Sequence, residues 1–327
     1  MTLKLALFLW LTVAQAALSQ LASHALYYRT VAAGDVKTHP RAGYALMGGG
    51  TDLDDAFRWL CDRADGGDLL VLRATGDDAY NSYIKGLCKL NSVATIITPD
   101  RQAALEPLVA GKIQEAAAIF IAGGDQANYV RFWRGTPVEA ALRDAVKRGV
   151  PIGGTSAGLA VLGEYIFSAE NDRPDDKNLS SDESLADPFY RQVVIAPDLL
   201  GIPILHGIIT DSHFDTRQRE GRLLVFMARI LASGQTSRIR GIGVDEKTAL
   251  LVEADEKGRV VGKGEADFFE AVAKPAVCSP GKPLTFGPIS RSYARAGQSF
   301  NVKDWSGGQP GGTLSVRAGH ISLEPLM

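Results

Sequence analysis

The residues best suited to chemistry lie in "VPIGGTSAGLAV" (150–161), where Ser156 stands inside Gly154-Thr155-Ser156-Ala157-Gly158. This is the spacing G-x-S-x-G. A serine hydroxyl is a weak nucleophile until a neighbouring base takes its proton. A tight strand-to-helix turn presents such a serine, and it needs small residues on either side. The next backbone N–H, that of Ala157, then points to where an oxyanion would form. Two plainer readings compete: a Gly/Ser turn that caps the following helix, and a phosphate cradle. The cradle finds no G-x-x-x-x-G-K-[ST] pattern in its support.

A nucleophilic serine needs a base within hydrogen-bond reach and a third group to orient that base. Of the five histidines, His24 and His39 precede the patterned core, and His320 sits in the tail. His206 stands at the start of an apolar run. His213 alone follows the end of such a run, in "IITDSHFDTR", and is the candidate base. A satisfied structural histidine is the alternative. Arg217, Arg219 and Arg222 follow it closely, the last two sharing one helix face at i,i+3. Arginine forks recognise carboxylates, so a substrate with free carboxylates fits, although a solvated helix face has the same pattern. The turn "FIAGGDQ" offers the Gly124 N–H as a second oxyanion donor and Gln126 as a group facing the same crevice. The acid is sought in the polar segment Ser168–Tyr190, which holds Glu170, Asp172, Asp175, Asp176, Asp182, Glu183 and Asp187. Composition does not choose among them.

These side chains need a frame. From Tyr44 on, short apolar runs end in glycine-rich or acidic turns, and each is followed by helical spacing. "YALMGGGTD", "DLLVLRATGDD", "SVATIITPD", "AAIFIAGGDQ" and "VPIGGTSAG" are the successive strand candidates. Strands alternating with helices predict an α/β fold with a mostly parallel sheet. Near-continuous apolar strands fit burial on both faces. Ligands of such sheets bind beyond the carboxyl ends of the strands, where all these turns fall. After the polar excursion, "LHGIITDSHF" predicts a strand and "TRQREGRLLVFMARILAS" a helix. From about Gly241 the texture predicts paired strands at the sheet edge, and after Pro280 short strands and loops.

The bulk composition is that of an ordinary globular chain: 327 residues, 46% hydrophobic, 22% charged, formal net charge −2. Such a balance gives no general electrostatic case for nucleic acid or for an anionic membrane surface. The start, "MTLKLALFLWLTVAQAALSQ", reads as a secretory signal peptide cut after Ala16. We therefore expect an exported protein with a lead-in over 17–43 and a single α/β domain over 44–327. Cys61, Cys88 and Cys278 have no ligand-like spacing; one disulfide and a free thiol, or three thiols, both fit. No zinc-type histidine motif occurs.

Taken together, G-T-S-A-G, "GGDQ" and D-x-H-F-x-x-R-x-R-x-x-R-L make the chain resemble the peptidase S51 family, and within it the cyanophycinases. The resemblance runs from about Tyr44 to Phe269. It implies a class I glutamine-amidotransferase-like three-layer sandwich with a nucleophile elbow, serine replacing the usual cysteine. It also implies hydrolysis of cyanophycin, a poly-aspartate with arginine on each β-carboxyl, to β-Asp-Arg dipeptides, without metal or cofactor and commonly as a homodimer. By the same resemblance Ser156 is the nucleophile and His213 the base. Gln126, Asp211, Arg217, Arg219 and Arg222 match substrate-pocket positions. Glu183, in "DESLADP", matches the acid, with Asp172 and Asp175 as alternatives. An aspartyl dipeptidase of the same fold, an α/β-hydrolase esterase and a non-catalytic exported binding protein are the rival readings.

Overall fold

The computed structural model describes residues 24–32, 34 and 36–324. The expected signal peptide, 1–16, lies outside the described residues.

The apolar runs form the strands, and the segments with 3.6-residue periodicity form the helices between them. In chain order these are β1 (Leu26–Arg29), β2 (Gly43–Met47), α1 (Asp54–Arg63), β3 (Asp68–Arg73), α2 (Ala79–Leu87) and β4 (Ser92–Ile97). There follow α3 (Arg101–Leu105), α4 (Pro107–Glu115), β5 (Ala118–Ile121), α5 (Gln126–Trp133), α6 (Pro137–Lys147), β6 (Ile152–Thr155) and the single turn α7 (Ala157–Ala160). Strands β4, β3, β5, β6 and β2 lie side by side in that order, all parallel. Successive residues of a strand point to opposite faces, and both faces are covered. Leu46, Leu72, Ile121 and Ile152 pack against Val109, Val138 and Leu142 on one side. Ala45, Val71 and Phe120 pack against Phe57, Leu60 and Ile84 on the other. The chain therefore has the α/β architecture expected, with helices on both sides of parallel strands.

The second half of the chain departs from the expected single sheet. β7 (Tyr165–Phe167), α8 (Ser181–Ala186), β8 (Ile195–Pro197), β9 (Ile208–Asp211), α9 (Glu220–Ser233) and β10 (Ile239–Val244) come next. β11 (Thr248–Glu253) and β12 (Lys257–Gly262) return to the first sheet, β11 pairing antiparallel with β2. β13 (Glu265–Ala271) and β14 (Phe286–Arg295) belong to a second, eight-stranded sheet that also holds β7 to β10. β10 runs between β9 and β13, not at an edge. Both of its faces are covered: Leu223 and Met227 of α9 pack on Gly241 and Phe214 on Gly243 on one side, and Ile242 and Val244 join the core with Leu250 and Phe268 on the other. The lead-in also contributes: β1 closes the far edge of the first sheet against β4.

Candidate active site

Three chain segments converge: the turn after β6 in the first sheet and the turns after the paired strands β9 and β10 in the second. Ser156 follows β6 directly, with φ 53° and ψ −112°, a conformation costly for a residue with a Cβ. Its surroundings hold it there. The Ser156 N–H donates to Met47 O (3.1 Å), and its own carbonyl accepts from Ala160 N (3.0 Å). The glycines of the motif have a steric reason. A Cβ on Gly158 would lie 2.0 Å from Ile121 O, and one on Gly154 would lie 2.4 Å from Gly158 O. The turn can bend this sharply only without those atoms.

His213 lies two residues beyond the end of β9. Its N–H donates to Gly48 O (2.7 Å), and its backbone also has positive φ. Its Nε2 stands 2.7 Å from Ser156 Oγ, within the reach a general base needs. Its Nδ1 stands 2.5 Å from Glu246 Oε1. Glu246 lies two residues beyond the end of β10, which runs parallel to β9. The three groups thus form a chain Ser156–His213–Glu246, the serine–base–orienting acid arrangement of acyl-transfer sites.

The electrostatics suit that arrangement. Burial pushes the His213 imidazole below its ordinary range, against the opposing effect of the hydrogen bond that Glu246 accepts from it. A neutral imidazole can accept a proton, so this favours the base form. The bond to His213 holds the Glu246 carboxyl below the usual carboxylate range. It is therefore ionised when an imidazolium forms beside it.

Glu183 is not at this place. It is the N3 residue of α8, where Ser180 N–H (3.0 Å) and Oγ (2.7 Å) both donate to its carboxylate, completing a capping box. That contact holds its pKa down. The expectation that Glu183 orients the histidine is corrected accordingly: the carboxylate on Nδ1 is that of Glu246. Asp172 does not supply it either; its side chain accepts from Gln192 Nε2 (3.0 Å). Nor does any contact bring Asp175 to the imidazole, whose two nitrogens face Ser156 and Glu246. Glu246 lies well beyond the acidic segment that follows the serine. "GVDEKT" carried the missed signal: an acid at the same offset past one strand that His213 has past its neighbour.

Beside the serine opens a cleft of about 510 Å³. Gly124, Gln126 and Ala157 line it with Ser156, as do Asp211, Arg217, Arg219 and Arg222. The charged residues divide. Asp211 and Arg222 are locked together by two bonds, Nε to Oδ2 (2.7 Å) and Nη2 to Oδ1 (2.6 Å), both side chains almost fully buried. Burial alone would raise the Asp211 carboxyl; Arg222 and Arg219 beside it hold it below its ordinary value. Arg219 donates to Ser212 O (2.8 Å), and burial brings its pKa down to about 9. These three build the wall and floor. Arg217 is exposed at the mouth, positioned to meet an anionic group. Asp125 and Asp172 also line the cleft, so it presents both signs of charge.

The family model "Peptidase family S51" matches residues 77–260, more than half of the chain. A cyanophycinase of Geminocystis herdmanii is 35% identical over 162 residues, 49% of this chain and 52% of that protein. A cyanophycinase of Synechococcus elongatus is 31% identical over 219 residues, 65% of this chain and 62% of its own. The chain thus spans between half and two thirds of the length of these curated relatives. The crystal structure of a peptidase from an acI-B1 Actinobacterium superposes with a TM-score of 0.51 at 18% identity, covering 81% of this chain and 98% of that one; it speaks for the fold. With its elbow serine and its matched span, the chain belongs to peptidase family S51.

Proposed function

We propose that the protein is a serine exopeptidase that cleaves cyanophycin, or a related β-aspartyl peptide, to β-Asp-Arg dipeptides. The observation that carries this reading is the relay of Ser156, His213 and Glu246, joined at 2.7 and 2.5 Å beside an open cleft. Ser156 Oγ attacks the substrate carbonyl as its proton passes to His213 Nε2. Glu246 stabilises the imidazolium, and the N–H groups of Ala157 and Gly124 receive the oxyanion. The tetrahedral species collapses, the C–N bond breaks, and His213 returns the proton to the departing amine. Water, deprotonated in turn by His213, releases the acyl group and regenerates the serine.

The choice of substrate is supported by the cyanophycinase relatives and by the cleft, whose Arg217 suits a carboxylate and whose Asp125 and Asp172 suit a guanidinium. Export belongs to the same proposal. It is supported by the Cys61–Cys88 disulfide, a bond that persists in oxidising compartments. Homodimer formation is proposed on the family resemblance alone. The test is mass-spectrometric analysis of products from purified cyanophycin with the wild type and with Ser156→Ala. Cleavage of Asp-X dipeptides with the polymer left intact would point instead to a dipeptidase.

A further inference from the structure

The turn "GGGTD" (48–52) that ends β2 lies outside the span matched by the family model and has no part in the chemistry described so far. Yet, with the last residue of β2, it touches every member of the relay. Met47 O, just before it, accepts the Ser156 N–H, and Gly48 O accepts the His213 N–H. Gly49 O accepts the N–H of Lys247 (2.9 Å), the residue after Glu246. The imidazole packs against Gly49: a Cβ there would sit 2.5 Å from His213 Cε1 and 2.6 Å from Nε2. Gly50 faces the Glu246 carboxylate, with an added Cβ 3.1 Å from Oε2.

Asp52 ends the turn with a side-chain clamp. Its Oδ1 accepts from Thr155 Oγ1 at 2.6 Å, and its Oδ2 accepts from Tyr80 OH at 2.5 Å. Thr155 is buried and immediately precedes the nucleophile. Burial and the adjacent Asp52 push the Tyr80 hydroxyl well above its ordinary pKa, so it remains a donor to the carboxylate. A serine at φ 53° and ψ −112° keeps that geometry only if its neighbours over-determine it. Backbone bonds fix Ser156 itself; the Thr155–Asp52 bond fixes the residue on its N-terminal side.

The geometry points to Asp52 as a positioning residue of the peptidase site: through Thr155 it holds the strained serine elbow in register with His213, on a glycine turn that also carries the base and its acid. This rests on the serine-peptidase reading above. Asp52 does not touch the reacting atoms. Its loss should lower the rate of the chemical step while leaving substrate affinity nearly intact, because a small displacement of Oγ costs catalysis more than binding.

The experiment compares the full chain with Asp52→Ala, Thr155→Val and the double variant on cyanophycin. Each preparation is titrated with a fluorophosphonate, so that kcat is expressed per reactive serine. Each single variant is expected to lose about 10- to 100-fold in kcat per titrated site, the range for a hydrogen bond to a charged group. KM should change by less than about threefold, and the double variant should be no slower than the worse single one, since both single variants break the same Thr155–Asp52 bond. Singles within about twofold of the wild type, losses that multiply in the double variant, or a loss explained by fewer titratable serines would each overturn the assignment. If Asp52→Ala does not fold, Thr155→Val, which keeps the shape of the side chain, decides alone. An inactive and unlabelled wild type would instead sink the serine-peptidase reading itself.

Discussion

Replacing Glu246 by glutamine tests the relay at its least expected member. The amide keeps the shape but removes the charge that faces His213 Nδ1 across 2.5 Å. Two unit charges about 4 Å apart attract by about 4 kcal/mol at an effective dielectric near 20. The Glu246 side chain is 25% exposed, and solvent screening reduces that value, so about 3 kcal/mol is the reasonable transition-state loss. Three kcal/mol is a factor of about 10² in kcat, and a wrong imidazole tautomer can extend the loss towards about 10⁴. Glu183→Gln is the matched control. It loses only a cap on α8, worth a few tenths to about 1 kcal/mol of stability, and its kcat should stay within about threefold of the wild type. The assay is kcat and KM on soluble cyanophycin fragments, with a thermal melt of each variant. Full activity in Glu246→Gln together with a hundredfold loss in Glu183→Gln would refute the reasoning.

The depressed pKa of His213 gives a pH prediction. The acid limb of kcat/KM should fall below the ordinary histidine value near 6.5, and Glu246→Gln should move it lower still, because the glutamate bond raises that pKa. In stability the unfolded chain binds the proton more readily, so His213 costs stability as pH drops below about 6.5; a melt series against pH in wild type and His213→Ala checks the sign. Arg217→Ala should raise KM on cyanophycin fragments by about tenfold with the melting temperature unchanged, whereas Arg222→Ala strands the buried Asp211 charge and should cost about 3–5 kcal/mol in denaturant unfolding. Reduction of Cys61–Cys88, 27 residues apart in sequence, should cost about 3.5 kcal/mol by loop-closure entropy, while Cys278→Ser leaves the melt unchanged.

The part of the site set by local sequence was legible. The elbow glycines, the strand ends at "GGGTD" and "GGDQ", and the lone histidine past an apolar run all lie where periodicity and turn chemistry put them, because each depends on a few adjacent residues. Glu246 was not legible in the same way. Its role depends on β10 lying parallel to β9, with Asp211 opposite Gly243, and on β11 turning back to β2 in the other sheet. That is a long-range pairing, and "RGIGVDEKTALLVE" read alone looks like an edge hairpin. Glu183 misled for a local reason: a serine three residues before a glutamate is also the signature of a capping box, and that is how it is used. The arginines after His213 were placed at the cleft, but sequence could not separate Arg222, consumed by Asp211, from Arg217, left at the mouth.

The most direct measurement of the central claim is product analysis after incubating purified cyanophycin with the wild type and with Ser156→Ala at equal concentration. The account predicts β-Asp-Arg dipeptide from the wild type, covalent labelling of Ser156 by a fluorophosphonate, and no dipeptide from the variant. Release of the same dipeptide at an undiminished rate by Ser156→Ala would contradict it.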